Sequence, residues 1–353
     1  MIADGATRMR REIEQIPDVV ARLIAESGPE LDTAAAAIGD AGPGWIMIAG
    51  RGTSDHAAVY AQYLFETYLG LPTGLVKPSV TTIYGARLDW SGGLVVAISQ
   101  SGRSPDVVEV VEAARRSGAL TLAITNERDS PLGAASELNL ACRAGHELAV
   151  PATKTYVAQL AALAALVGRL RPASGLDEAL ATIPEALRGT LELTREWLDG
   201  PADAVVGSLA AADRALLVSR GYNLATSFEL ALKLKETCGL FAEAYSTADF
   251  AHGPLVLAAA GVPTLAIRPE GEMGELVDAT VAAVAARGGR TTLIGGPGVA
   301  GRDGALALPY RVPEALSPLL LVVPGQLLVE ATARRRGISP DSPVGLGKVT
   351  LTH

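Results

Sequence analysis

An apolar segment that ends in an Arg-Gly turn occurs twice in this chain, and that repetition constrains the fold more than any other feature. The first copy is Trp45-Ile46-Met47-Ile48-Ala49, followed by Gly50-Arg51-Gly52-Thr53-Ser54-Asp55 and a helix over residues 56–68. The second spans residues 215–219, followed by Arg220-Gly221 and a helix over residues 226–237. Both then continue alike. In the first, the run Leu94-Val95-Val96-Ala97-Ile98 precedes helical spacing of Val107, Val108, Val110, Val111 and Ala114, ended by Arg115-Arg116 and Gly118, and residues 120–125 form the next strand. In the second, residues 262–267 take the place of that run. A helix over residues 274–286 ends in Arg287-Gly288-Gly289, and a strand over 291–294 follows. Unbroken apolar runs bounded by turn residues are strands buried on both faces, and strands alternating with helices build doubly wound parallel sheets. Self-similar order at long period means two related lobes. The expectation is an α/β protein of two tandem lobes: residues 1–190 with a leading helix, residues 191–333, and a C-terminal tail, 334–353.

At 353 residues, two domains of ordinary size are expected. Residues 8–27 read as an amphipathic helix interrupted at Pro17, residues 138–141 as a short strand, and the stretch running to Leu170 as a long apolar helix. Pro172, Gly175 and Pro184 interrupt the linker between Leu170 and Pro201. The formal net charge of -8 argues against nucleic acid as a partner. Cys142 and Cys238 have no metal or redox spacing, so a reduced, cytoplasmic setting is expected. Residues 1–11 hold no apolar signal core, and no uninterrupted membrane-length run is found, so no membrane partner is expected.

Ser99-Gln100-Ser101-Gly102-Arg103-Ser104-Pro105-Asp106 lies between a buried strand and a helix start. Free N–H groups, the positive end of the helix dipole and the hydroxyls of Ser99, Ser101 and Ser104 would favour a phosphate there. An ordinary turn capped by Ser104 or Asp106 has the same composition, and composition does not separate the two. The second copy carries Arg268-Pro269-Glu270-Gly271-Glu272 instead, whose carboxylates would repel phosphate. One phosphate site per chain is the economical reading. Gly50-Arg51-Gly52 invites a dinucleotide reading, but the third glycine and the acidic residue about 20 positions on are missing.

Glu229, Lys233 and Glu236 fall on one face of the 226–237 helix, with Lys235 pointing elsewhere. A solvated salt-bridge face has the same spacing. Against it stand the apolar Leu230, Ala231, Leu232 and Leu234, and a position directly after a strand's carboxyl end, where open α/β sheets bind ligands. His252, between Ala251 and Gly253-Pro254, is displayed by a turn. Lys348 lies in the glycine-flanked tail Gly345-Leu346-Gly347-Lys348-Val349-Thr350, where a lysine is usually surface decoration.

Taken together these residues resemble the sugar isomerase (SIS) domain family, over nearly the whole chain. The marks are Gly50 to His56, Ile98 to Asp106, Phe228 to Glu236, Ala242-Glu243-Ala244-Tyr245, His252-Gly253-Pro254 and the tail lysine. The chain is similar to the isomerase half of glutamine–fructose-6-phosphate aminotransferase, and in particular to stand-alone SIS glucosamine-6-phosphate deaminases. The resemblance implies flavodoxin-like lobes and a tail that closes on the active site. It implies that Ser54, Ser99, Gln100, Ser101 and Ser104 hold the 6-phosphate of a hexose phosphate. Glu236 would move a proton between C1 and C2, Lys233 would stabilise the enediol-like intermediate, and His252 would open the ring from a neighbouring subunit. Lys348 would meet the sugar carbonyl, as an imine in one version. Gly52, Thr53, Val150, Ala152 and Glu229 are implied as weaker substrate contacts. A homodimer with a shared site and no metal or organic cofactor is implied.

The chemistry fits these residue types. Aldose–ketose interconversion needs a carboxylate over two adjacent carbons, an acid–base group at the ring oxygen and a cation where an enolate oxygen develops. The chain starts Met1-Ile2-Ala3, without the aminotransferase's glutaminase domain, so ammonia from glutamine is not expected. Its loop reads Gly102-Arg103-Ser104-Pro105-Asp106, the form of the stand-alone deaminases, where the aminotransferase typically has Gly-Glu-Thr. The expected reaction is glucosamine 6-phosphate plus water giving fructose 6-phosphate and ammonia. Rival expectations are galactosamine 6-phosphate as substrate, a fructosamine-6-phosphate deglycase, a glutamine-independent aminating isomerase, and a non-catalytic phosphosugar-binding regulator.

Overall fold

The strands form where the apolar runs lie. In the computed structural model, which describes residues 6–259 and 261–348, the chain divides into two compact units. The first comprises Asp18–Glu147, Lys154–Thr182 and the described part of Gly347–His353. The second comprises the described part of Met1–Pro17, Leu148–Thr153 and Ile183–Leu346.

In the first unit, β1 (Trp45–Ala49), β2 (Thr73–Leu75), β3 (Gly93–Ser99), β4 (Leu120–Thr125) and β5 (Leu138–Ala141) form a parallel sheet of order β2-β1-β3-β4-β5. All seven residues of β3 are buried, as a central strand covered on both faces requires. The β1–β3 register sets Trp45 opposite Gly93, where a Cβ on Gly93 would stand 2.2 Å from the Trp45 ring. The strand therefore starts on a glycine because a neighbouring indole occupies the side-chain space. The helix Lys154–Leu170 is buried on all faces from Lys154 to Gly168, which its Ala- and Leu-rich composition permits.

In the second unit, β6 (Arg214–Ser219), β7 (Phe241–Ser246), β8 (Pro263–Arg268), β9 (Arg290–Gly295) and β10 (Leu306–Ala307) form a parallel sheet of order β10-β9-β8-β6-β7. Numbered within its own unit, each sheet reads 2-1-3-4-5, the doubly wound flavodoxin-like order in which ligands bind where the winding reverses. The reversals lie between β1 and β3 and between β6 and β8. The expected fold class holds in both units.

The expected interruption at Pro17 falls at Gln15, between helices Arg8–Glu14 and Ile16–Glu26, with Pro17 as the second residue of the latter. Proline is tolerated there because its missing N–H has no partner in a first turn. One helix is nevertheless long and apolar enough on average to have been a membrane candidate. The segment Glu314–Arg335 is long and apolar enough by length and composition, but 94% of its apolar window is buried inside the protein. It is a core helix, Ser317–Arg335, packed on helix Leu224–Cys238. A Cβ at Gly325 would stand 2.3 Å from Leu230 Cδ1, so the missing side chain admits the leucine. The Leu224–Cys238 helix is thereby seated against the core.

Candidate active site

Two clusters hold most of the residues singled out from the sequence, one in each unit. In the first unit the cluster lies at the sheet's winding reversal. The turn after β1 leads into helix Thr53–Leu69, and the loop after β3 leads into helix Pro105–Arg116. The Arg51 guanidinium joins them, with Nη2 at 2.6 Å and Nε at 2.8 Å from Asp106 Oδ2. The Asp106 side chain is buried, and its Oδ1 accepts the Val107 N–H at 2.9 Å. A buried carboxylate needs such partners.

The serine loop is pinned from within and from outside. Ser99 Oγ accepts the Gly102 N–H at 3.0 Å and Ser101 Oγ accepts the Arg103 N–H at 3.3 Å. The carbonyls of Gln100 and Gly102 accept N–H groups of Asn126 and Leu132 at 3.2 and 3.0 Å. Gly102 has φ 63°, and a Cβ there would lie 2.1 Å from Ser130 Oγ. Both the backbone conformation and the space demand glycine. Ser104 precedes the helix in extended conformation and makes no side-chain cap bond. Its hydroxyl is not used as the capped-turn reading requires, whereas Asp106 does bond the first-turn amide of Val107. Ser54 and Ser99 are buried, while Gln100, Ser101 and Ser104 are partly exposed; Gly52 is exposed with φ 54° at the head of its helix, and Thr53 is half-buried.

Gln159 was not anticipated. It is buried on helix Lys154–Leu170, and its Nε2 donates to Ser54 Oγ at 3.0 Å. A hydroxyl that accepts from an amide keeps its own proton for another acceptor. A lone amide in the run Val157-Ala158-Gln159-Leu160-Ala161 was the available signal, but its partner is 105 residues away.

In the second unit, helix Leu224–Cys238 starts after the Gly221 turn at the carboxyl end of β6. Lys233 Nζ lies 3.4 Å from Glu229 Oε1 and 2.5 Å from Glu236 Oε2. The side chains of Lys233 and Glu229 are 1% and 0% exposed, and that of Glu236 is 23% exposed. The solvated-face reading therefore fails for the first two. Burial is the largest influence on Lys233 and pulls its pKa down, but Glu229 and Glu236 outweigh it and hold the ammonium above its ordinary value. Lys235 does point elsewhere, to Glu243 at 3.2 Å. The arrangement presents one carboxylate to solvent, backed by a cation fixed in place by a second carboxylate.

The remaining candidates stand on other segments of the chain. His252 ends the short helix Thr247–Ala251; it is exposed, and no hydrogen bond joins its ring to another described residue. Val150 and Ala152 are partly buried in the same unit, and the Val150 N–H donates to the Asp341 carbonyl at 2.9 Å. Lys348 belongs to the first unit, where it pairs with Glu147 at 3.0 Å. The residues that follow it in the tail motif, Val349 and Thr350, lie outside the described residues, as do Met1, Ile2 and Ala3.

Comparison with known proteins follows the same division. The SIS domain family model matches residues 43–169 and 208–296, one stretch around each sheet. A glutamine–fructose-6-phosphate aminotransferase (isomerizing) of Methanothermobacter thermautotrophicus is 35% identical over 86% of this chain and 51% of its own length. The chain thus spans about half the length of that curated relative. A Silicibacter pomeroyi DSS-3 protein provisionally assigned as a phosphosugar isomerase has a crystal structure that matches with a TM-score of 0.84 and 37% identity. That match covers 95% of this chain and 100% of the other. The glucosamine-6-phosphate deaminase structure from Thermotoga maritima matches with a TM-score of 0.79 at 22% identity, over 98% and 100% of the two chains. That likeness is one of fold alone.

Proposed function

Because this chain belongs to the SIS domain family, we propose that it is a phosphosugar isomerase that deaminates a hexosamine 6-phosphate, with glucosamine 6-phosphate as substrate. The observation that carries this reading is the Glu229–Lys233–Glu236 triad, in which a solvent-reaching carboxylate is backed by a buried ammonium. In the proposed reaction the sugar ring opens and Glu236 takes the proton from C2. Lys233 stabilises the negative charge that develops, and the proton returns to C1. The C2 imine so formed is hydrolysed, consuming one water and releasing one ammonia. The phosphate would be bound by Ser54, Ser99, Gln100, Ser101 and Ser104. The pinned loop and the Gln159-bonded Ser54 supply hydroxyl donors at a helix N-terminus, a setting that favours an anion. The deaminase direction rests on the Gly102-Arg103-Ser104-Pro105-Asp106 form of that loop.

Within the same reading, His252 acts at the ring oxygen of a neighbouring subunit's substrate. Its exposure, with exposed Val256 and Leu257 beside it, supports a homodimer with shared sites. We place the protein in the cytoplasm, where free thiols such as buried Cys142 and Cys238 persist.

The test is release of ammonia and fructose 6-phosphate from purified protein given glucosamine 6-phosphate, without glutamine. Equimolar release that falls about 10²–10⁴-fold in Glu236→Gln, with sugar-phosphate binding retained, is the expected result. Absence of release with binding intact overturns the deaminase reading, in favour of a deglycase or a phosphosugar sensor.

A further inference from the structure

Glu147 has a wholly buried side chain, and its two oxygens have different partners. Oε1 accepts the Thr155 N–H at 3.1 Å, in the first turn of helix Lys154–Leu170, and Oε2 meets Lys348 Nζ at 3.0 Å. The first contact places the carboxylate at the positive end of a helix dipole. The second ties residue 348 to residue 147 across 201 positions of sequence, within one unit. Burial first, and the Glu147 charge second, push the Cys142 thiol pKa up. A wholly buried carboxylate paired with a lysine of the tail is a costly arrangement unless the pair has a use, because the carboxylate loses its hydration and the ammonium most of its own.

Resting on the function proposed above, we infer that Glu147 docks the tail lysine Lys348 as an ammonium and takes up its proton when the amine attacks the substrate. The step balances as follows. Lys348 gives one proton to Glu147, and the neutral amine adds to C2 of the imine, forming an N–C bond. Glu147 returns the proton to the displaced nitrogen, the C2–N bond breaks, and ammonia leaves. The protonated Lys348–C2 imine that remains is hydrolysed by one water, giving the ketone and the Lys348 ammonium. Glu147 ends as it began, and the sum is the deamination already written. Without the carboxylate, the lysine lacks both its dock and a local proton acceptor.

Glu147→Gln separates this role from helix capping, because the amide oxygen still accepts the Thr155 N–H while the charge is lost. Two measurements are made on the full chain. The first is acetylation of Lys348 by limiting acetic anhydride at pH 7.5, read by mass spectrometry, and it needs no substrate. The expected result is labelling about 3–10-fold faster in Glu147→Gln, with Glu147→Asp between it and the parent. The second is kinetics with glucosamine 6-phosphate and cyanoborohydride trapping of fructose 6-phosphate on Lys348. There kcat and trapping fall together by about 10²-fold, while KM changes little because the phosphate is held elsewhere. Parent-like labelling and parent-like trapping in Glu147→Gln overturn the inference. Faster labelling in a protein whose parent turns over no hexosamine phosphate keeps the docking pair and overturns the proposed function instead. Should Glu147→Gln fail to fold, Glu147→Asp carries both measurements, and parent-like values there overturn the inference.

Discussion

The two loops that follow the third strand of each sheet, Ser99–Asp106 after β3 and Arg268–Glu272 after β8, occupy the same place in the same topology and do opposite things. After β3, serine hydroxyls and main-chain amides line the loop, and the charged pair, Arg51–Asp106, lies behind it joining two turns. After β8, the loop satisfies itself. Arg268 is buried, with Nε 3.0 Å from Asp278 Oδ2 and Nη1 3.3 Å from Glu270 Oε1, and Glu270 in turn accepts the Gly298 N–H at 2.9 Å. A Cβ on Gly274 would stand 2.9 Å from the Arg268 guanidinium, so that side chain fills the space beside the helix start. In the first copy the serine oxygens accept the Gly102 and Arg103 amides and so keep their own protons, whereas in the second the charged side chains pair with one another. On the function proposed above, a duplicated fold thus carries one anion site, because the side chains at the loop decide what the helix N-terminus meets.

The sharpest way to break this comparison is to give the first loop the character of the second. Ser101→Glu is expected to weaken glucosamine 6-phosphate binding by more than about 10²-fold in titration calorimetry, because a like charge costs several kcal/mol. An unchanged affinity would take the phosphate out of that loop. Next comes stability. Lys233→Met strands Glu229 without its cation and is expected to cost about 3–5 kcal/mol in urea unfolding. Arg268→Met, whose partners are partly exposed, is expected to cost less than half of that, and equal losses would erase the distinction between the two sites.

Glycines give a smaller contrast. Gly102→Ala meets both a positive-φ backbone and Ser130, whereas Gly271→Ala, at φ 82° with nothing within 4 Å, meets only the backbone penalty of about 1–3 kcal/mol. The first is expected to cost more in the same unfolding assay and to weaken phosphate binding, and the second to leave binding alone. The smallest effect is on pH dependence. The raised Lys233 pKa means that its pairing contributes in full below the ordinary lysine value of 10.5 and is lost only as pH rises through the higher folded value. Asp278 is pushed up by burial, but Arg302 and Arg268 outweigh this and hold it below 3.8. Its contribution is present above 3.8 and is lost as pH falls through the lower folded value. Hence the penalty of Lys233→Met should stay flat from pH 6 to 9, while that of Asp278→Asn should shrink on acidification below about pH 4.

What was legible in the chain follows from local periodicity. Residues 45–49, 120–125 and 138–141 are strands as read, and residues 94–98 lie within β3, because an apolar run between turn residues has few alternatives. The spacing of Glu229, Lys233 and Glu236 foretold a shared face, since helix geometry alone sets it. The helix Ser317–Arg335 went unrecognised although its apolar composition was in view, because a run apolar on every side has no amphipathic period to count.

By itself, then, the sequence determined two doubly wound parallel sheets, the loop that carries the serines and the face that carries the triad, all through spacings of a few residues. Only the tertiary structure decided that Arg51 meets Asp106, that Gln159 bonds Ser54 and that Glu147 holds Lys348. It also decided that Glu229 and Lys233 are buried while Glu236 reaches solvent. Those outcomes depend on which strands lie side by side and which helix covers which face. Burial and pairing of charges are properties of that assembly, and no local spacing encodes them.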